Sequence, residues 1–113
     1  GSTVNVSSIH AIDTTPLVSA YAAAKAALLS LTRSASLEGK SKGIRVNAIL
    51  PGAVDTPMLW ENPNVKTGLE QIDRGMLGTP EDIAEVIAFL VSPAAEFVVG
   101  SAVIVDGGRL GKL

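Results

Sequence analysis

Tyr21 and Lys25 stand four residues apart in an Ala-rich stretch, so a helix there puts both on one face. A free phenol, with a pKa of ~10, is a poor base at neutral pH. An ammonium beside a phenol favours the phenolate, which is what proton transfer near neutrality requires. The pair is therefore a candidate general acid/base unit. By itself it is weak, because an ordinary exposed helix surface offers the same spacing. Two further features point to the same place. Ser7-Ser8 ends a segment of alternating polarity, and Pro51-Gly52 ends another. In a parallel sheet both endings fall on the carboxyl edge, where ligands bind in α/β folds. A hydroxyl (Ser8), a phenol, an ammonium and a glycine-containing turn thus converge on one mouth.

The elements that would position these groups can be read in order. Thr3 to Ser8 alternates as a strand, and a loop runs from Ile9 to Pro16. Leu17 to Glu38 is rich in Ala and Leu and predicts a long helix, with Ser19 as N-cap, an apolar face of Leu28, Leu31 and Ala35, and Gly39 as the stop. Gly43 to Leu50 reads as a second strand. Met58 to Leu77 has no period; its Trp, Pro and Asn residues argue for a lid or binding loop, with a short helix over Gly68 to Arg74. Thr79-Pro80-Glu81-Asp82 is a helix start, with Thr at N-cap, Pro at N1 and two carboxylates on the exposed amides. Ile83, Val86, Ile87 and Leu90 form its stripe, Pro93 ends it, and Ser101 to Asp106 is a third strand closed by Gly107-Gly108.

The order β-α-β-α-β predicts an α/β chain with a three-stranded parallel sheet, the C-terminal portion of a Rossmann-like doubly wound fold. Residues 1–113 form a single partial domain on this reading. Two right-handed crossovers with strands added in one direction would put both helices on the same face and leave the other bare.

Composition narrows the function. Hydrophobic residues make up 47% of the chain and charged residues 18%, outside the range of disordered chains. Nine Lys+Arg against eleven Asp+Glu leave no basic footprint for nucleic acid or an anionic membrane. Without cysteine there is no thiolate chemistry or disulfide scaffold, and with His10 as the single histidine no His-cluster metal site. Apolar runs are broken well before the ~18 residues a bilayer span needs, and Gly1 opens no signal peptide. A soluble, cytoplasmic domain is expected.

Five blocks in order resemble the short-chain dehydrogenase/reductase family over nearly the whole chain. Asn5-Val6-Ser7-Ser8 is similar to its catalytic-serine strand, with Ser8 thirteen residues before Tyr21. Tyr21-Ala22-Ala23-Ala24-Lys25 matches its Tyr-x-x-x-Lys. The run from Val46 through Pro51-Gly52-Ala53-Val54-Asp55-Thr56 resembles its nicotinamide-holding segment. Gly78 to Ala84 and Val103 to Gly108 resemble its last helix and strand.

The resemblance implies hydride transfer between NAD or NADP and a small secondary alcohol or carbonyl. It gives Tyr21 the proton, Lys25 the tuning of that phenol and the nicotinamide ribose, and Ser8 the substrate oxygen. Pro51, Gly52, Val54 and Thr56 would hold the carboxamide end, and Thr56 could equally cap a turn. His10, Met58 and Trp60 fall by the substrate loop, with solvent exposure the plainer reading for His10. Asp106 reads as structural, and Arg33, Glu38, Lys40, Lys42 and Arg45 as a solvated helix end. No metal is implied.

Several of the family's parts are absent from these residues: the glycine-rich cofactor turn, the residue that selects NAD or NADP, the Asn-rich strand and the helix with the catalytic asparagine. No glycine-rich turn opening a helix occurs among its residues, so the pyrophosphate has no nest here. What is present corresponds to the family's last three strands and last two helices. The family's left-handed final crossover would put those helices on opposite faces. The first strand would carry an open apolar edge. A homo-oligomer, a companion N-terminal fragment or membership of a larger polypeptide would cover it. The alternative is a catalytically inactive remnant or partner-binding half-domain.

Overall fold

A computed structural model describes residues 1–111. β1 (Ser2–Val6), β2 (Arg45–Pro51) and β3 (Ala102–Val105) form one parallel sheet in the order β1-β2-β3. Ser2 pairs with Arg45 and Val6 with Ile49; Ala48 pairs with Ala102 and Pro51 with Val105. The expected α/β architecture is present. β2, flanked on both sides, supplies the core: Val46, Ala48, Ile49 and Leu50 are buried, joined by Ile9, Leu90 and Ala95.

Two long helices, α1 (Ser19–Gly39) and α4 (Pro80–Val91), cover the sheet, and strand alternation places them on opposite faces. On β1, Asn5 Nδ2 donates to Thr32 Oγ1 of α1 at 3.0 Å, whereas Ser2 Oγ, an odd number of positions away, donates to Leu90 O of α4 at 3.5 Å. The strands are parallel and follow one direction across the sheet, so the two crossovers have opposite hands, and one departs from the right-handed rule. Both faces are thereby covered.

α4 begins as its sequence predicts. Thr79 Oγ1 accepts from Asp82 N at 3.2 Å and Asp82 Oδ2 accepts from Thr79 N at 2.8 Å, a complete capping box with Pro80 at N1. Its far end depends on Arg45, which is not part of a solvated helix end as its neighbours suggest. Its Nη1 donates to the carbonyls of Leu90, Ala95 and Val98 at 2.9, 3.0 and 3.4 Å, and its Nη2 to Ser92 O at 3.2 Å. A cation there satisfies carbonyls that the helix cannot and sits at the negative end of its dipole.

α1 differs from expectation in its cap, stop and inner face. Ser19 is its first residue rather than its cap; Val18 holds the N-cap position without a side-chain hydrogen bond. The α-helix proper ends at Gly39, but the coiling does not: a 3₁₀ turn, Lys40–Lys42, follows, and Gly43 at φ +68° terminates the run. The buried residues are Thr32, Ser36 and Gly39, while Leu31 faces solvent. Close approach explains this choice. A Cβ on Gly39 would lie 3.0 Å from Ile44 O, and one on Gly100 would lie 2.8 Å from Ser36 Oγ. The Thr32 and Ser36 hydroxyls donate back to Leu28 O and Arg33 O, so burial leaves them satisfied.

The stretch from 57 to 77 is more ordered than its composition suggests. α2 (Pro57–Glu61) and α3 (Pro63–Lys66) are short helices started by Thr56 and Asn62, each with proline at N1. A 3₁₀ turn spans Arg74–Met76, and no helix occupies Gly68 to Asp73.

Candidate active site

The carboxyl ends of β1 and β2 open onto the start of α1. Ser7 N still donates to Ile49 O at 2.8 Å, extending the ladder, and Ser7 Oγ donates to Lys25 O at 2.7 Å, fastening α1 to the strand end. Ser8 is buried and extended. Its Oγ accepts from His10 N at 3.1 Å and caps the 3₁₀ turn Ile9–Ala11. A serine hydroxyl also carries a donor, and that proton has no acceptor among the described residues.

Tyr21 lies on the first turn of α1 and is 48% exposed. Lys25 Nζ sits 5.5 Å from its ring centroid and donates to Val6 O at 3.0 Å. The main-chain carbonyl thus holds the ammonium beside the phenol ring, as the spacing predicts. The His10 ring meets the Tyr21 ring edge-on, with centroids 5.8 Å apart and planes at 77°. Among the described residues the Tyr21 hydroxyl has no hydrogen-bond partner, so it is free for a ligand oxygen.

The end of β2 forms the second wall. Pro51 closes the strand, and Gly52 N donates to Val105 O at 3.0 Å. Glycine is required at 52: a Cβ would sit 2.7 Å from Asp106 Cβ and 2.9 Å from its Cα. Val54 and Gly78 form an isolated parallel bridge in which Gly78 N donates to Ala53 O (2.9 Å) and Asp55 N to Gly78 O (2.8 Å). That pattern uses both polar groups of Gly78 and leaves the N–H and C=O of Val54 without partners among the described residues. Thr56 Oγ1 accepts from Leu59 N at 3.4 Å, so the cap reading applies to it, and its own proton stays unassigned. A cavity of about 350 Å³ runs beside Val54, Met76, Gly78, Asp82 and Asp106.

The substrate-loop residues separate. Met58 is 80% exposed. Trp60 is tied within its own loop: its Nε1 donates to Asp55 Oδ1 at 2.8 Å, and the Arg74 guanidinium lies 4.9 Å from its ring. His10 is not left to solvent. Its Nδ1 is 2.8 Å from Thr14 Oγ1 and its Nε2 is 3.4 Å from Glu70 Oε1. Asp106 is structural, accepting from Gly108 N and Leu110 N.

Glu70, Asn64 and Arg109 are missed by the sequence reading. Asn62-Pro63-Asn64 signals a capped start, but nothing local marks Glu70 or Arg109, whose partners lie far along the chain. Among the described residues no group of three or more His, Cys, Asp or Glu side chains could hold a metal, and no helix is long and apolar enough to cross a membrane.

Comparison with known proteins identifies relatives in sequence and fold. The family model described as enoyl-(acyl carrier protein) reductase matches residues 1–109. A cis-4-hydroxycyclohexanecarboxylate dehydrogenase of Sinomonas cyclohexanicum is 48% identical over 110 residues, covering 96% of this chain and 44% of that protein. A 3β-hydroxysteroid dehydrogenase 1 of Eggerthella lenta is 43% identical over 112 residues, covering 96% and 43%. Among solved structures, the angucycline C-6 ketoreductase LanV with bound NADP superimposes with a TM-score of 0.85 at 32% identity, over 99% of this chain and 44% of that one. The chain spans less than half the length of these relatives.

Proposed function

The chain belongs to the short-chain dehydrogenase/reductase family, and on that premise we propose that it supplies the proton-transfer and nicotinamide-holding part of an oxidoreductase acting on a secondary alcohol or its ketone. The observation that carries this reading is the Lys25 ammonium, bonded to Val6 O and set 5.5 Å from the Tyr21 ring centroid. In the reductive direction Tyr21 gives its proton to the substrate oxygen, and in the oxidative direction it takes that proton back. The Ser8 hydroxyl donates to the same oxygen and stabilises charge developing there. Lys25, anchored on Val6 O beside the ring, donates to the nicotinamide ribose.

Solved relatives carry NADP or, in 4-hydroxyisoleucine dehydrogenase, NADH. The free N–H and C=O of Val54 complement the C=O and NH₂ of a carboxamide, and the unassigned Thr56 proton adds a donor. These residues fit the nicotinamide end of such a cofactor; no glycine-rich turn for the pyrophosphate is among them. When bound, the nicotinamide supplies the hydride chemistry. The choice between NAD and NADP falls outside these residues.

The outer edge of β1 is unpaired among the described residues, and Val6, Leu31 and Leu37 are exposed near it or on α1. A second copy of the chain, or a companion polypeptide bearing the cofactor turn, is the partner this surface suits. Sedimentation of the pure chain tests self-association, and a monodisperse monomer rules out the second copy while leaving a companion or a longer polypeptide that bears the turn.

The activity test is oxidation of NADH or NADPH by small ketones. Tyr21→Phe is expected to lower the rate by about 10²–10⁴-fold while the circular-dichroism spectrum stays unchanged. Full activity in Tyr21→Phe overturns the assignment.

A further inference from the structure

We propose that Glu70 is a positioning residue: from the substrate loop it fixes the His10 imidazole against the Tyr21 ring, so that the placement of the loop sets the geometry at the proton-transfer group. The consequence for catalysis rests on the function proposed above; the positioning itself does not.

Glu70 is only 6% exposed, and a carboxylate so buried must be paired. Arg109 Nη2 meets its Oε1 at 3.2 Å and answers the charge. His10 is therefore not needed for neutrality. Yet the same oxygen also faces His10 Nε2 at 3.4 Å, and Thr14 Oγ1 lies 2.8 Å from Nδ1 on the other side of the ring. With an oxygen at each nitrogen, the imidazole has one preferred orientation, and in that orientation it makes a T-shaped contact with the Tyr21 ring at a centroid distance of 5.8 Å.

Glu70 is itself held. Its N–H donates to Asn64 O at 2.9 Å, and Asn64, 7% exposed, donates through Nδ2 to Pro16 O at 3.1 Å. The first tie lies within the loop; the second, together with the Glu70–His10 contact, runs from the loop to the connection between β1 and α1, which carries Ser8 and His10. A loop that shifts when substrate enters thus carries the His10 ring with it, and Tyr21 registers the shift. Such coupling matters because misplacement by about 1 Å near the reacting groups can cost two orders of magnitude in rate.

The chain has one histidine and one tyrosine, so the two rings give unambiguous proton resonances. In the full chain a nuclear Overhauser contact between the His10 and Tyr21 ring protons is expected. Glu70→Ala should abolish it with amide shifts of the sheet unchanged, and Glu70→Gln, which keeps an acceptor oxygen, should restore it. If Glu70→Ala does not fold, Glu70→Met, which keeps the volume and removes both oxygens, takes its place. A contact that persists without the carboxylate, or is absent in the parent chain, overturns the proposal. In the ketone assay Glu70→Ala should lower kcat about tenfold with little change in KM for NADH. No turnover in the parent chain would count against the oxidoreductase reading alone, because the ring contact still decides the role of Glu70.

Discussion

The helix on one face of the sheet and the helix on the other are built on opposite plans. α4 turns Ile83, Val86, Ile87 and Leu90 toward the sheet, closes its first turn with a capping box, and has its last carbonyls satisfied by Arg45. α1 turns Lys25, Thr32, Ser36 and Gly39 inward and leaves Leu31 and Leu37 exposed, at 56% and 76%. The difference separates two tasks. α4 is cover, stabilised by burial and by partners within the chain. α1 carries the proposed proton-transfer pair, and its inner face is given to short polar groups and a lysine that lock it to the strand ends. Those two leucines stay exposed among the described residues.

Five substitutions sharpen or break that contrast. Arg45→Met leaves four carbonyls without their shared donor and should cost about 2–4 kcal/mol, read from urea denaturation of the parent and variant chains. Gly52→Ala forces a methyl against the Asp106 backbone, where no side-chain rotation relieves it; about 1–3 kcal/mol is expected in the same assay. Thr79→Ala removes a real cap and should cost about 1 kcal/mol, whereas Ser19→Ala, at a position that caps nothing, should change stability by less than about 0.5 kcal/mol. Equal losses from those two changes would erase the distinction between the helices. The smallest effect is expected from Leu37→Lys: stability within about 0.5 kcal/mol of the parent, with weaker self-association by sedimentation if that leucine lies in a contact.

What the sequence discloses follows the range of the interactions. The three strands, the parallel α/β order and the Thr79-Pro80 start are legible because each rests on neighbouring residues. Thr56-Pro57 and Asn62-Pro63 carry the same signal as Thr79-Pro80, and a reading that searches for long periodicity passes over them because each helix lasts only one turn or so. The inner face of α1 is hidden for another reason. Thr32 and Ser36 satisfy their hydroxyls on their own helix, so polar residues can be buried where leucines would be sought. The partners of Arg45 and Glu70 could not be read at all, since every group their side chains touch comes from a distant stretch of chain.

The same rule governs the site. Tyr21 and Lys25 are read from one helical turn, and Ser8 from the end of one strand. The free polar pair of Val54 appears only once Gly78 bridges it.

The central claim is that these residues grip the nicotinamide end of a dinucleotide. Saturation-transfer NMR of the full chain with NADH tests it most directly. The strongest transfer should fall on the nicotinamide ring and its ribose rather than on adenine, and Lys25→Met should remove it. Transfer confined to adenine, or a nicotinamide signal indifferent to Lys25→Met, would contradict the account.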